Sequence, residues 1–513
     1  MTTLLAAVVD VSQGVAGTGS RLAKRDAIAD LLRRASPEDV EILVSYLGGE
    51  LRQRRTGVGW ASLRSLPEPA AQPTLEVADV DAEFERLAGL SGPGSASARS
   101  DAVQALFARA TEAEQRLLRG LVSGDVRQGA LDASVVEAVA AAADVPLADV
   151  RRAVMLRGAT APVAAAALAG GAEAVAAFTL TVGQPIRPML ASSAPDMTTA
   201  FDKTGGDTAV CLDTKLDGIR IQVHRSGDDV RVYTRSLDDI TDRLTDVAEV
   251  ARSLPSSGFV LDGEAMTLDE SGRPRPFQET ASRTATRSGL LDAVDQVAVT
   301  PYFFDLLHHE GTDLLDLPLH ERLDHLDALV PTRYRVPRLV TNDPSAGQEF
   351  FLEAVSNGQE GVVVKSLSAP YEAGRRGAGW VKVKPRHTLD LVVLAVEWGS
   401  GRRKGWLSNI HLGAHDPETG GWVMLGKTFK GMTDEMLAWQ TARFLDLEES
   451  RTDWVVTLRP EQVVEIAFDG LQRSSRYPGG VALRFARVLR YRDDKQASEA
   501  DTIETVLALS PRA

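Results

Sequence analysis

A short turn near the middle of the chain carries the residues best suited to covalent chemistry. Lys215-Leu216-Asp217-Gly218, followed by Arg220, comes directly after Val210-Cys211-Leu212, an apolar run typical of a short strand. A glycine in such a turn allows the tight backbone conformation that could present the lysine amine to a ligand. The same turn could equally hold a solvated surface lysine, and both interpretations are open from this motif alone.

Lysine is scarce in this chain, so the positions that keep it are informative. Only ten of the 57 basic residues are lysines, and five of the ten fall in short motifs: Lys215, Lys365, Lys382, Lys384 and Lys495. Arginine can replace lysine wherever a plain cation is enough, but only lysine readily loses its proton. The scarcity therefore favours a chemical role for the retained lysines.

Further motifs follow the lysine turn in order along the chain. They are Thr234-Arg235-Ser236, Leu261-Asp262-Gly263-Glu264, Tyr302-Phe303-Phe304-Asp305, Glu360-Gly361-Val362-Val363-Val364-Lys365 and Trp380-Val381-Lys382-Val383-Lys384. Alternate side chains of a strand share a face. Lys382 and Lys384 are therefore expected on one face, and Phe303 is expected to face the core while Phe304 faces the other way.

Composition limits the classes of protein to which the chain can belong. Its 513 residues, 44% hydrophobic and 25% charged, predict an ordinary globular protein of two to four domains. Cys211 is the only cysteine, which excludes intramolecular disulfides and any zinc site with two or more thiolates.

The net charge of −14 does not exclude a nucleic-acid partner, because local patches decide binding. Basic residues do cluster in two stretches. Residues 371–406 contain eight Lys/Arg against three Asp/Glu, and residues 473–495 contain seven against two.

The elements that must position these motifs change character along the chain. Up to about residue 185, apolar residues recur at helical spacing, and Ser36 is a candidate N-cap before Pro37. The Ala-rich stretch Ala161–Gly183 is expected to be a packed helix pair and not a membrane span. After residue 185 short β-rich runs dominate, and those from Leu391 onward predict a small barrel.

In their order and spacing, these strings resemble the motifs of covalent nucleotidyltransferases, specifically of ATP-dependent DNA ligases. The strings are KLDGIR, TRS, LDGE, YFFDLL, EGVVVK, WVKVK and, at residues 484–495, RFARVLRYRDDK. Residues 183–191 are similar to the family's entry into its catalytic domain. Residues 117–130 are similar to a DNA-contacting stretch of its helical domain.

The resemblance covers nearly the whole chain and implies a multidomain fold. Residues 1–185 would form an all-α DNA-binding domain, and residues 186–388 an α+β nucleotidyltransferase (adenylation) domain with antiparallel sheets. Residues 389–513 would form a C-terminal β-barrel of the OB-fold type.

The resemblance also implies a nucleotide site around Lys215, which would attack the α-phosphate of ATP. Nearby cations, namely a metal ion, Lys382 and Lys384, would favour the neutral amine. Phe304 would stack on the adenine. Asp213 stands where the family has an acid near the adenine, usually glutamate, and the shorter side chain leaves its role open.

Three arginines, Arg220, Arg235 and Arg376, are implied contacts to nucleotide or nick phosphates, since guanidinium suits phosphate. Arg375 competes with Arg376 for the third of these roles.

The acidic and C-terminal motifs imply metal and leaving-group contacts. Glu264 would bind a ribose hydroxyl or a metal ion, and Glu360 a metal ion, Mg²⁺ or Mn²⁺. Alternatively, each could be a solvated acid at a strand end. Arg492 and Lys495 would bind the pyrophosphate leaving group. Alternatively, Arg492 and Lys495 could simply belong to the solvated basic face of a barrel strand.

Nicked double-stranded DNA is the implied partner, and Arg54, Arg55 and Arg127 are the implied DNA-binding residues of the N-terminal region. The family works in DNA replication, repair or recombination. We expect a monomer in the bacterial cytoplasm, associated with the nucleoid and not with a membrane; the sequence identifies no protein partner.

Other protein classes share parts of this pattern. An mRNA-capping guanylyltransferase has the lysine motif but would not need some 185 helical residues before it. An NAD-dependent ligase is disfavoured because its family uses a four-cysteine zinc site. An RNA ligase and a catalytically inactive DNA-binding scaffold on the same fold are the remaining alternatives, and covalent labelling with AMP would exclude the scaffold.

Overall fold

The computed structural model describes residues 2–53, 56–126, 131–205, 208–270, 272–275, 277, 279–281, 298–372 and 379–509. The chain divides into two compact units. The first contains Met1–Ser193, Phe201–Asp343 and Val364–Val381, and the second contains Ala194–Ala200, Pro344–Val363 and Lys382–Ala513. The predicted domain limits at residues 185/186 and 388/389 stay predictions.

The N-terminal part of the first unit is helical, as predicted. Its helices are α1 (Leu5–Gly17), α2 (Arg21–Arg34), α3 (Val40–Leu47), α4 (Val77–Gly89), α5 (Ser95–Arg109), α6 (Glu112–Ser123), α7 (Leu131–Ala143), α8 (Leu147–Arg157) and α9 (Thr160–Ala176). Each helix turns an apolar face into a shared core, in which Leu5, Leu43 and Phe84 are almost completely buried.

The predicted helix cap at Ser36 is wrong. Helix α3 begins only at Val40, after a turn in which the Asp39 N–H donates to the Ser36 carbonyl. Asp39 takes the N-cap position, but its carboxylate accepts a hydrogen bond from the Thr3 backbone N–H (2.9 Å) and does not cap the helix. A contact to a residue 36 positions away therefore decides this helix end.

The alanine-rich stretch after residue 160 is a pair of helical segments, as expected. Helix α9 is interrupted at Gly171, whose φ of 58° and ψ of −145° are not helical. Across the part of the chain that the structure describes, no helix combines the length and the apolar character that crossing a membrane requires.

After the N-terminal helices the chain forms two five-stranded sheets. The strands are β1 (Ser192–Ser193), β2 (Val210–Lys215), β3 (Ile219–Ser226), β4 (Asp229–Thr234), β5 (Gly258–Thr267), β6 (Val299–His309), β7 (Thr312–Asp313), β8 (Arg338–Thr341), β9 (Gly361–Ser366) and β10 (Trp380–Val383). One sheet has the order β1-β10-β9-β2-β8, and the antiparallel other has the order β4-β3-β5-β6-β7.

Four helices accompany these strands along the chain: α10 (Met197–Thr204), α11 (Thr245–Ser253), α12 (Leu319–Leu329) and α13 (Pro344–Ser356). Helices α11 and α12 cover one face of the antiparallel sheet, where Val223, Leu261 and Leu326 are completely buried. The combination of helices and antiparallel strands agrees with the predicted fold class.

The second unit is rich in β-strands from residue 387 onward. Its elements are β11 (His387–Trp398), β12 (Leu407–His415), β13 (Trp422–Thr428), α14 (Asp434–Asp446), β14 (Glu448–Arg451), β15 (Val455–Leu458), β16 (Val463–Phe468), β17 (Gly470–Arg473), β18 (Val481–Arg484), β19 (Arg487–Tyr491) and α15 (Ile503–Ala508). Strand β11 pairs with β12, β15 and β16, and β16 pairs with β19. These strands surround a core that includes Leu391, Leu412 and Ile466.

The segment Gly183–Arg187 is bound both to the N-terminal helices and to strand β3. The Gly183 N–H donates to Nδ1 of His224 (3.0 Å), and the Ile186 N–H donates to Oε1 of Gln222 (2.9 Å). On the helical side, Arg187 donates to the Asp132 carboxylate (2.6 Å) and its backbone N–H to the Met155 carbonyl (2.9 Å). The helices and the sheet are thus joined through a hydrogen-bonded segment.

His224 must be neutral to make these contacts. Its Nδ1 accepts from Gly183, so its Nε2 carries the proton and donates to Gln222 Oε1 (2.8 Å). Burial, with a smaller contribution from His308, lowers the pKa of His224 to about 3. Protonation would remove the acceptor that holds Gly183.

We therefore expect acid to destabilise this junction. In the unfolded chain His224 takes up a proton as the pH falls through about 6.5. In the folded chain it does so only at about pH 3. Between those values the free energy of unfolding falls by up to about 1.4 kcal/mol per pH unit. His224→Asn, which keeps an acceptor near Nδ1, should lower the melting temperature at pH 7.5 but flatten its dependence on pH.

Thermal melts of both proteins from pH 7.5 to pH 4.5 measure this. His320→Asn, a change at a half-exposed histidine of α12, serves as the control and should keep the wild-type pH dependence. Parallel wild-type and His224→Asn curves would contradict the assignment.

Candidate active site

The Lys215 turn is packed against strand β5. Strand β2 runs through Lys215 itself, further than the three-residue strand expected from the sequence, and the turn to β3 ends at Gly218. A Cβ atom at Gly218 would lie 2.4 Å from the Ala265 carbonyl oxygen and 2.9 Å from Cγ of Glu264. Only glycine allows this approach, which brings the lysine turn next to Glu264.

Arg220 is held by a buried carboxylate. Its Nε and Nη2 donate to Asp262 Oδ1 (2.9 Å) and Oδ2 (2.6 Å), and its Nη1 donates to the Met189 carbonyl (2.9 Å). Burial alone would lower the pKa of Arg220, but the charges of Asp262, Tyr371 and Glu264 and the hydrogen bond to Asp262 together raise it. Most of the N–H donors of Arg220, which the sequence predicted to bind phosphate, are therefore bound to acceptors of the protein itself.

Tyr371 completes this network. Its hydroxyl donates to Asp262 Oδ2 (2.7 Å) and accepts from the Met189 N–H (3.0 Å). Burial, and then the charge of Asp262, raise the pKa of Tyr371 well above its ordinary value, so the hydroxyl remains a donor. None of the sequence motifs contains this tyrosine, and its role was not predicted.

Two aromatic rings lie beside the Arg220 guanidinium. Phe304 and Trp380 meet edge to face with ring centres 5.8 Å apart, and Cζ of Arg220 lies 5.1 Å from the Phe304 centre and 5.4 Å from the Trp380 centre. Phe303, by contrast, is completely buried in the core. The predicted alternation of Phe303 and Phe304 is confirmed, and Phe304 packs against a small apolar cluster that contains Leu216 of the lysine turn.

Lys365 is buried on the same two rings. Its Nζ lies 4.5 Å from the centre of Phe304 and 4.2 Å from that of Trp380, and it forms an ion pair with Asp213. Asp213, expected near the adenine, thus faces a lysine. Lys365 belongs to a sequence motif but had no predicted role, although the scarcity of lysine was a signal that could have found it.

Glu264 and Arg235 occupy different positions in the antiparallel sheet. Glu264 is half-buried on β5, directly opposite Arg220 in register. Arg235 is exposed immediately after the end of β4, where Leu237 adopts a φ of 66°. Asp262 and Asp305, which their motifs would place as acids that brace turns, instead lie on strands and bind Arg220 and Arg322.

In the second unit, Lys384 is bound by two acids. Its Nζ lies 2.9 Å from Glu360 Oε1 and 3.5 Å from Asp469 Oδ2. Lys382 and Lys384 are partly exposed, whereas Val381 and Val383 are buried, which confirms that the two lysines share a face. Glu360, a predicted metal ligand, is therefore also a lysine partner.

The two predicted pyrophosphate ligands are also paired with acids. Arg492 donates to both carboxylate oxygens of Asp494 (2.8 and 2.6 Å) and, through Nη1, to Asp390 (2.9 Å). Lys495 donates to the same Asp390 (2.6 Å). Their neighbours are thus carboxylates of the same unit.

Four predicted residues, Arg54, Arg55, Arg127 and Arg376, lie outside the described residues, as does the competing Arg375. Within the described ranges, no group of three or more His, Cys, Asp or Glu side chains is arranged to hold a metal ion by itself. The roles predicted for the four arginines, and for Glu264 and Glu360 as metal ligands, stay predictions.

Family models match three stretches of the chain. The "ATP dependent DNA ligase domain" matches residues 188–384, the "ATP dependent DNA ligase C terminal region" matches residues 403–495, and the "DNA ligase N terminus" matches residues 60–140. The solved structures Pmar-Lig_PreS3 and Pmar-Lig_Pre share the fold over 94% and 95% of this chain and 99% of each of theirs. Their TM-scores are 0.64 and 0.62, at 19% and 18% identity.

Curated relatives match over their full length. A "Probable DNA ligase" of Beutenbergia cavernae is 69% identical over 99% of both chains, and one of a Nocardioides species is 65% identical over 98% of both. A third, from Mycobacterium marinum, is 57% identical over 99% of this chain and all of its own. On this similarity the chain is an enzyme of the ATP-dependent DNA ligase family.

Proposed function

We propose that this protein seals nicks in duplex DNA through a covalent AMP on Lys215. The observation that supports this most strongly is the placement of Lys215. It ends a strand, its turn lies against Glu264 because residue 218 lacks a side chain, and Leu216 of the turn belongs to the apolar cluster against which Phe304 packs. A nucleophile, an acid and an aromatic ring are thereby gathered within one unit.

The reaction proceeds in three transfers. Nζ of Lys215 attacks the α-phosphorus of ATP, and the bond to the β-phosphate oxygen breaks, releasing pyrophosphate. The 5′-phosphate of a nick then attacks the lysine-bound AMP, breaking the P–N bond and restoring the amine. Finally the 3′-hydroxyl attacks this 5′-phosphate, forming the phosphodiester bond and releasing AMP.

We assign the remaining roles from the family motifs. Phe304 stacks on the adenine, and Lys382 and Lys384 supply cations to the nucleotide phosphates. Arg235 and Arg376 contact phosphates. The N–H donors of Arg220 are engaged by Asp262. This arginine therefore helps to position Phe304 through its planar face, which lies over the ring.

Divalent magnesium (or manganese) fits the acids assigned to it. Mg²⁺ usually takes only one or two protein carboxylates and fills its other positions with water and substrate phosphates. Glu264 and Glu360 are each a candidate to supply such a carboxylate. When bound, the ion neutralises phosphate charge and makes the α-phosphorus easier to attack.

We also propose that the chain has the three domains expected from the sequence: a helical DNA-binding domain, an adenylation domain and a C-terminal OB-fold. The all-helical start and the barrel-like strand pairing around β11 support this.

Lys215→Ala and Lys215→Arg should both abolish covalent labelling by radiolabelled ATP. Arginine keeps the charge but cannot supply a neutral amine. The measurement is denaturing electrophoresis after incubation with Mg²⁺, and EDTA should prevent labelling of the wild type. NAD should not replace ATP.

Lys203→Ala is the matched control, because Lys203 lies on α10 and, among the described residues, donates to the Ser193 carbonyl alone. It should label like the wild type. Labelled Lys215→Arg would place the nucleophile elsewhere, and a wild type that takes no label would favour a scaffold without catalytic activity.

Arg54 and Arg55 are proposed as DNA contacts, and the described residues on either side of them make side-chain contacts of their own. Before it, Arg52 and Gln53 bind the carboxylate of Asp81 (both 3.1 Å). After it, Gly57 leaves room for the Arg99 guanidinium, which a Cβ atom would approach to 2.7 Å.

Arg54→Gln combined with Arg55→Gln should therefore weaken binding to nicked duplex at physiological salt while self-labelling continues. The slope of log K against log salt should become shallower by about 0.9 for each DNA phosphate that the variant no longer neutralises. Arg86→Gln, which removes a cation paired with Glu83 on α4, is the control and should bind normally. An unchanged salt slope in the double variant would exclude these arginines from the DNA interface.

A further inference from the structure

The carboxylate of Asp390 lies between the two cations of the C-terminal motif. Asp390 is on strand β11, and its Oδ2 accepts from Arg492 Nη1 (2.9 Å) and from Lys495 Nζ (2.6 Å). A single carboxylate therefore fixes the spacing of both charges. Hydrogen bonding to Asp390 also raises the pKa of Lys495 above its ordinary value.

Asp390 is itself held in place by the backbone. Its N–H donates to Asp501 Oδ2 (2.7 Å), and the Asp501 N–H donates to the Asp390 carbonyl (2.8 Å). Its side chain is only 13% exposed, and that of Arg492 only 14%. The carboxylate is thus an anchored, partly desolvated group, the setting in which an ion pair is strongest.

Asp494 binds the same arginine under different conditions. It takes Nε and Nη2 of Arg492, but its side chain is 64% exposed. An exposed carboxylate regains water when it leaves its partner, so an incoming anion displaces it at little cost. A diphosphate can therefore replace Asp494 at Nε and Nη2 of Arg492 while Asp390 stays bound to Nη1.

We propose that Asp390 is a positioning residue that holds Arg492 and Lys495 together as a preformed receptor for pyrophosphate. Asp494 occupies the Arg492 fork when no pyrophosphate is bound. The inference rests on the proposed function, because pyrophosphate arises only in the adenylylation of Lys215.

Asp390→Asn tests this in the full chain, because it keeps the side-chain size and removes the charge. In self-adenylylation the KM for ATP and the inhibition constant for added pyrophosphate should both rise about tenfold, the scale of one charge-assisted hydrogen bond. Sealing of a nick that already carries AMP should stay within about twofold of the wild type, because no pyrophosphate takes part in that step. Asp390→Glu should recover part of the loss by restoring the charge.

Asp493→Asn is the matched control. It also removes one negative charge, from the segment that carries Arg492 and Lys495, but the Asp493 carboxylate accepts from Gln462 Nε2 (3.0 Å) and not from either cation among the described hydrogen bonds. It should keep both constants. If Asp390→Asn keeps both constants while the wild type labels normally, the inference is overturned and the proposed function is not.

Equal loss in adenylylation and in sealing of the pre-adenylylated nick would also overturn it, because that pattern indicates general damage to the unit. A wild type that takes no label from ATP would instead refute the proposed function on which the inference rests.

Discussion

The buried pair of Arg220 and Asp262 is the interaction on which the rest of the candidate site depends. Removing either partner would leave an uncompensated charge inside the protein, at a cost of about 3–5 kcal/mol. The pair joins β3 to β5, the Met189 backbone and the Tyr371 hydroxyl. Because the guanidinium also lies over Phe304, the position of this ring depends on the same pair.

Two further ion pairs repeat this arrangement around the site. Arg322 and Asp305 are both completely buried and meet at 2.8 Å, and Lys365 is buried against Asp213. Buried ion pairs are costly to form and accept few alternative partners. The site is therefore specified mainly by charges that match one another inside the protein, and less by the number of apolar neighbours.

The sequence predicted those features that depend on local periodicity or on residue chemistry. The alternation of Phe303 and Phe304 follows from the period of a strand, and the importance of Lys365 was signalled by the scarcity of lysine. The partner of Arg220 was not predictable, because Asp262 is 42 residues away on another strand. A single sequence contains no record of which distant residues pair, and the same limit explains the wrong cap at Ser36.

The contact of Trp380 with Phe304 and two cations has an optical consequence. Trp380 is almost completely buried, with the Lys365 ammonium 4.2 Å and the Arg220 guanidinium 5.4 Å from its ring centre. Indole emission responds to nearby charge, while a soluble quencher reaches exposed rings such as that of Trp454 first. In the presence of such a quencher, the remaining fluorescence would come disproportionately from a ring that touches the proposed adenine-stacking residue, which gives the protein a built-in spectroscopic reporter.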